Sequence, residues 1–208
     1  MEFVFIAIGY ALALIVNKQQ KKKAHQLENE GERLVRKKLK LFCSNTGSHL
    51  LNNVTLRLDG GDTTQIDHIL VTQKGVFVVE TKDYTGWIFG SATQPTWTQV
   101  HYRKKTPFQN PIRQNYKHIK AVESLLGFLP ENAIKGVVVF TRNSEFKTNR
   151  PKDVLYEDEI GAFLVDTTCA QISKNQLQLC VGRIECLRME LTEETDIEHI
   201  ENLKSRFY

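Results

Sequence analysis

The chain has 208 residues, of which 41% are hydrophobic and 25% charged. That length and balance fit one globular domain with appendages around a buried core. The formal net charge of +4 is too small to point to nucleic acid by itself, so the distribution of charge has to decide. Residues 18–40 hold nine lysines and arginines against three glutamates, whereas 185–201 lean acidic. The four cysteines, Cys43, Cys169, Cys180 and Cys186, include no C-x-x-C pair and no histidine at zinc-finger spacing, which argues against a zinc site or a disulfide framework. They read as reduced, mostly buried thiols of a cytosolic compartment. Neither a G-x-x-x-x-G-K phosphate loop nor a G-x-S-x-G elbow is present.

Residues 3–16 (FVFIAIGYALALIV) carry no charge. As a helix they span about 21 Å, against about 30 Å for a bilayer's hydrocarbon core. No basic stretch precedes them and no small-x-small cleavage site follows. Lys18, Lys21, Lys22 and Lys23 come next instead. This pattern predicts a retained single-pass anchor over 1–17 in the inner membrane, with the rest of the chain in the cytoplasm. A buried or interfacial helix is the competing reading.

After a basic linker over 18–25, residues 24–42 read as a helix, with Val35, Leu39 and Phe42 at helical spacing beside Leu27 and Leu34. Gly31 inside it predicts close approach to a neighbour. Strands are expected over 50–58, 64–72 and 76–82, the last two joined at Lys74–Gly75, and further irregular strands over 86–103. Asn110–Pro111 starts a second helix, with Ile112, Tyr116, Ile119, Val122 and Leu126 along one face. A buried strand over 136–141, a short one at 154–156, and helices over 158–164, 174–189 and 194–207 complete a mixed α/β layer arrangement.

The stretch from Gln65 to Asp83 carries the chemistry. With Lys74 and Gly75 as central turn residues, Asp67 lies opposite Lys82 and Ile69 opposite Glu80. Asp67, Glu80 and Lys82 then project from one face at the end of an apolar hairpin. Asp67 and Glu80 are hard oxygen ligands suited to Mg²⁺ or Mn²⁺, and Lys82 can position a water and offset charge in the transition state. A solvent-facing Asp67–Lys82 salt bridge competes with that reading. Glu32 sits beside the first helix's apolar stripe and can add a further carboxylate or simply pair with Arg36. Gln114, in the first turn of the second helix, reaches the site or is solvated. A second E-x-K, Glu145-Phe146-Lys147, lies in a polar stretch and is given no role. His68 points to the face opposite Asp67 and reads as structural.

The succession Gly31-Glu32, Gln65-Ile66-Asp67-His68, Val79-Glu80-Thr81-Lys82, Gly86-Trp87, Trp97, Asn110-Pro111 and Gln114, with Val139-Phe140-Thr141 and Phe146-Lys147 later, resembles the nuclease-related domain family. That family is similar to PD-(D/E)xK enzymes such as restriction endonucleases. The resemblance covers about residues 26–165 and leaves 166–208 as a C-terminal helical extension. It implies a restriction-endonuclease-like mixed sheet flanked by helices and a Mg²⁺- or Mn²⁺-dependent nuclease acting on nucleic acid, DNA foremost. In it Asp67, Glu80 and Lys82 match the core triad, Glu32 the first-helix acid and Gln114 the helix glutamine. Arg103, Lys104, Lys105, Arg113, Lys117 and Lys120, interleaved with Tyr102, Phe108 and Tyr116, suit phosphates and unpaired bases. A solvated face is the plainer reading of such a run. The alternative function is a non-catalytic binding or scaffold protein that keeps the fold.

Overall fold

A computed structural model describes residues 28–167 and 169–205. The apolar segment over 3–16 and the basic linker over 18–25 lie outside the described residues. Among the described residues no helix is long and apolar enough to cross a membrane.

In chain order the elements are α1 (Glu30–Thr46), β1 (His49–Arg57), β2 (Thr63–Thr72), β3 (Gly75–Lys82), β4 (Gly86–Phe89), β5 (Thr96–His101), β6 (Lys104–Gln109), α2 (Pro111–Leu125), β7 (Ile134–Phe140), β8 (Ser144–Phe146), β9 (Val154–Tyr156), α3 (Ile160–Asp166), α4 (Lys174–Leu187) and α5 (Glu193–Ser205). One sheet has the order β1-β2-β3-β7-β9, antiparallel through β3 and parallel beyond it. A second has the order β6-β5-β4-β8. Two mixed sheets and five helices among the described residues are consistent with a restriction-endonuclease-like core.

The central strand explains the layering. β3 is buried from Gly75 to Thr81, as expected of a strand covered on both faces. Val76 and Val78, with Ile69 and Val71, pack on Val122 of α2 and its C-cap Leu126, and on Leu177, Cys180 and Ile184 of α4. Phe77 and Val79, with Leu70, pack on Val35 and Leu39 of α1 and Ile160 and Leu164 of α3. The smaller sheet joins through Ile88 and Trp97, which pack against Phe140 and Val154. Of the cysteines only Cys180 is buried. Cys43 and Cys169 are half-buried and Cys186 is exposed, so the expectation of mostly buried thiols is corrected, and all four are free.

Local signals set the helix ends. Asn29 accepts the Glu32 N–H at 2.9 Å and starts α1, while Gly47, at φ 64°, closes it by donating to Cys43 O. The helix runs 30–46 and so ends later than the expected 42, while 24–27 of the expected helix lie outside the described residues. Gly31 is its second residue, and the close approach expected there is present. A Cβ at Gly31 would lie 2.5 Å from the Asp83 Cβ, so the first turn of α1 sits on the end of β3. In α2, Asn110 caps Ile112 as expected. The buried face differs from the expected stripe, because Tyr116 is 57% exposed while Asn115, His118, Ala121 and Val122 point inward. Asn115 is held there by donating to Val78 O and Val137 O at 3.0 and 3.1 Å, bonds that an apolar residue cannot make.

The β2–β3 hairpin also differs from the expectation. Thr72 pairs with Gly75 and Val71 with Val76, so Gln73 and Lys74 are the central turn residues. Gly75 is a strand residue whose missing Cβ admits Ala133 O, 2.6 Å from where that atom would stand. The shift is two residues, which preserves side-chain faces. Further along, β1 and β2 rotate together. Asn53 has φ 49°, and the buried apolar positions change parity there, from Leu51 to Val54 in β1 and from Ile69 to Ile66 in β2. Asp67 sits at this rotation, just past the last β2–β3 pair, His68–Val79.

Candidate active site

Where β3 leaves the buried layer, an open pocket of about 290 Å³ lies between the N-terminal ends of α1 and α2. Glu32, Asp67, Glu80, Lys82 and Gln114 all line it. Each comes from a different local cause. Glu32 belongs to the capped first turn of α1 and makes a short contact with the Asn29 amide. Asp67 is turned by the β1–β2 rotation so that its Oδ2 accepts the Thr81 backbone N–H at 2.7 Å. Glu80 and Lys82 alternate with the buried Thr81 on β3. Gln114 is in the first turn of α2 and accepts from Lys82 Nζ at 3.1 Å.

Glu80 is the hub. Lys82 Nζ donates to its Oε1 at 2.6 Å, and His118 Nε2 lies 3.1 Å from its Oε2. A carboxylate only accepts, so Nε2 carries a proton. His118 Nδ1 meets Thr64 Oγ1 at 2.7 Å, which fixes the ring. Burial pushes the Glu80 carboxyl up, but the His118 bond and the Lys82 charge outweigh it and hold the group below its usual range. The Lys82 ammonium is disfavoured by burial, yet the Glu80 and Asp67 charges raise its pKa and keep it protonated.

The other two carboxyls are shifted the opposite way. Burial, then the charges of Glu80 and Glu32, push Asp67 well above the ordinary carboxylate range. Burial, and repulsion from Glu28 and Glu80, raise Glu32 to about 7, although the Asn29 bond opposes the shift. The pocket thus holds more carboxylate than its one lysine neutralises. A divalent cation relieves such crowding, and Asp67 and Glu80 supply hard oxygens suited to Mg²⁺ or Mn²⁺. The residues fit an ion that keeps most of its water. Among the described residues no group of three or more His, Cys, Asp and Glu side chains forms a ready metal cage.

Other expected residues lie elsewhere. Arg103, Lys104 and Lys105 are exposed around the β5–β6 turn, where Tyr102 is 91% exposed. Arg113 donates to Thr93 O at 2.7 Å, Lys120 pairs with Glu123 at 2.6 Å, and Lys117 is exposed on α2. None of the six lines the pocket. Phe108 is unavailable for base stacking because it packs against Tyr84 and Trp97. Glu145 and Lys147 pair with each other at 2.7 Å beside the small sheet, where Lys147 also lies over the Trp87 ring. Arg36 pairs with Glu28, not with Glu32. His68 is buried on the α1 side with Nδ1 on Asn52 Oδ1 at 2.9 Å, and burial lowers its pKa to about 4, in keeping with a structural role.

Thr64, His118 and Asn29 escaped the sequence reading, as did His199 of α5, which also lines the pocket. The signal for His118 was its helical spacing from Pro111, Asn115 and Val122, a stripe masked by its polar members. Nothing in the sequence pointed to His199, which meets Thr63 Oγ1 at 2.8 Å across 136 positions.

A protein of Bacillus anthracis described as uncharacterized is 37% identical to the chain, over 99% of this chain and 96% of its own length. No solved structure matches. The family described as nuclease-related domain matches residues 27–141, the span that supplies Glu32, Asp67, Glu80, Lys82 and Gln114. With more than half of its length matched, and with the D…E-x-K carboxylates and lysine gathered at one strand end, the chain belongs to the nuclease-related domain family of the PD-(D/E)xK superfamily.

Proposed function

We propose that the chain is a metal-dependent nuclease that hydrolyses phosphodiester bonds of nucleic acid, DNA foremost. One observation carries the reading. Three carboxyls, Glu32, Asp67 and Glu80, converge with a protonated Lys82 in one open pocket, and burial, with their mutual repulsion behind it, pushes Glu32 and Asp67 up in pKa. Perturbed groups of this kind gather at catalytic sites. Magnesium or manganese held by Asp67 and Glu80 would polarise a phosphate oxygen and acidify a water.

The chain's own groups divide the remaining work. Lys82, fixed by Glu80 and Gln114, presents positive charge to a phosphoryl group that gains negative charge during attack. His118, itself held by Thr64, keeps Glu80 from rotating. Glu32, with a pKa of about 7, is poised to take a proton from the attacking water near neutrality. Water adds across the P–O bond, its oxygen to phosphorus and its protons to Glu32 and the departing oxygen.

A second reading, a binding protein without turnover, is favoured by Lys82 and His118 each occupying one Glu80 oxygen. We also propose that residues 3–16 tether the domain to the inner membrane with the pocket in the cytoplasm, a reading supported by the uncharged run and the lysines after it. Assay of the chain on duplex, single-stranded and branched DNA and on RNA, with Mg²⁺ or Mn²⁺ and in chelator, tests the nuclease reading. Metal-dependent cleavage is expected, and binding without cleavage on every substrate replaces the nuclease with the scaffold.

A further inference from the structure

Beside the candidate active site lies a larger groove of about 470 Å³, lined by the outer face of α1. Its cations are Arg33, Arg36, Lys37 and Lys40, at the i, i+3, i+4 and i+7 positions of one helix face. The opposite wall is polar. Asp83 accepts from Thr141 Oγ1 at 2.6 Å and Asn143 Nδ2 at 3.0 Å, so its charge is turned into the protein's own network. Asp83 lines both this groove and the active-site pocket, and Glu32 and Arg33 are adjacent on α1, so the two depressions meet at the first turn of the helix.

The four cations are not equivalent. Arg33 pairs with Glu30 at 2.5 Å and Arg36 with Glu28 at 2.6 Å. Lys37 and Lys40 are exposed, and neither has an ion pair among the described residues. Two unneutralised ammoniums one turn apart, next to a site for phosphodiester chemistry, make a surface complementary to a strand's phosphates.

We propose that this groove is the track along which the phosphodiester backbone of the nucleic-acid substrate runs into the active site, with Lys37 and Lys40 as the principal phosphate contacts. The inference rests on the nucleic-acid reading of the adjacent pocket but not on turnover there. From Arg33 to Lys40 the helix rises about 10 Å. It differs from the Arg103–Lys104–Lys105 turn, which none of the pocket's lining residues adjoins in sequence. A concave, polar-walled channel fits a strand better than the flat face of a bilayer, although the chain's basic start keeps anionic lipid as the rival occupant.

The test measures binding apart from cleavage. The full chain, in neutral detergent with Ca²⁺ or chelator, is titrated into a short fluorescein-labelled duplex and its single strand. Fluorescence anisotropy is read between about 50 and 200 mM salt. K37Q/K40Q removes two phosphate contacts and is expected to flatten the slope of log affinity against log salt by about 1.8 on the duplex and about 1.4 on the single strand. K37E/K40E should weaken binding by about tenfold or more. Both positions are exposed, so an unchanged Tm is the check on folding. Loss of binding in these variants supports the groove whether or not wild type cuts. Unchanged affinity and slope overturn it even if wild type cuts well, as does a loss seen only in an R103E/K104E/K105E variant. Sedimentation with phosphatidylserine vesicles, lost in K37E/K40E while DNA affinity is unchanged, replaces the strand with a membrane surface.

Discussion

The Asp67 carboxylate takes the Thr81 N–H at 2.7 Å, standing in for a backbone bond just where the β2–β3 ladder stops. One side chain therefore both splices the hairpin end and faces the pocket. Asp67→Ala leaves the N–H of the buried Thr81 without a partner, at a cost of about 1–3 kcal/mol. Asp67→Asn keeps an acceptor and removes a charge that burial and Glu80 disfavour. In chelator the Asn variant is expected to melt at or above wild type and the Ala variant below it. Equal melting of the two variants, by circular dichroism, would show that the Thr81 bond contributes nothing.

Ligand and lysine substitutions should fail differently. Asp67→Asn and Glu80→Gln remove hard charged donors, so calorimetric Mn²⁺ affinity and cleavage should both collapse. Lys82→Met leaves the carboxylates in place and removes a positive neighbour. Mn²⁺ affinity should hold or tighten while cleavage falls by about two to three orders of magnitude. A Lys82→Met protein that cuts like wild type would reduce the lysine to a salt-bridge partner of Glu80.

The gathering of Asp67, Glu80 and Lys82 was legible because period-two alternation survives a two-residue error in register, whereas Glu32 and Gln114, on helices, were tied to the site by the family resemblance. The turn was misread for a physical reason. Gly75 looks like a turn residue, but it is a strand residue that lets Ala133 O approach. The rotation at Asn53 was invisible, since an asparagine with positive φ leaves no mark on hydropathy. Likewise His118 and Asn115 sit on an inward face that only their hydrogen bonds make stable, so a search for apolar stripes favoured Tyr116 instead. Contacts from α5 join residues more than a hundred positions apart, beyond the reach of any local pattern.

Stability without metal should fall as pH rises through the window between 4.5, the ordinary value for Glu32, and about 7, its value in the fold. In that window the folded chain holds a proton that the unfolded chain has released, so raising the pH favours unfolding. Asp67, also raised, acts with the same sign. Glu80 is lowered, and its stabilising contribution is lost only as the pH falls through its depressed value. A cation needs the carboxylates ionised, so the gain in Tm on adding Mg²⁺ should be larger at pH 8 than at pH 5. Glu32→Gln should flatten the chelator profile between pH 5 and 7. A wild-type Tm that climbs with pH across this range contradicts the crowding described for the pocket.

Deleting residues 1–23 should move the protein from the membrane to the soluble fraction and leave the melting transition of the domain in place. Fractionation of cells expressing each form measures this. Full-length protein recovered as soluble without detergent removes the tether.

The division of the pocket among α1, β2, β3 and α2 bears on how such a chain is made. Asp67, Glu80 and Lys82 are synthesised before Gln114 and His118, and Glu80 is held in its buried setting only once α2 has docked. A nascent chain that has extruded only the β2–β3 hairpin carries carboxylates in water, without the His118 and Gln114 contacts or the dry wall behind them. Under the nuclease proposal, cutting power would arrive with the completed fold rather than ahead of it.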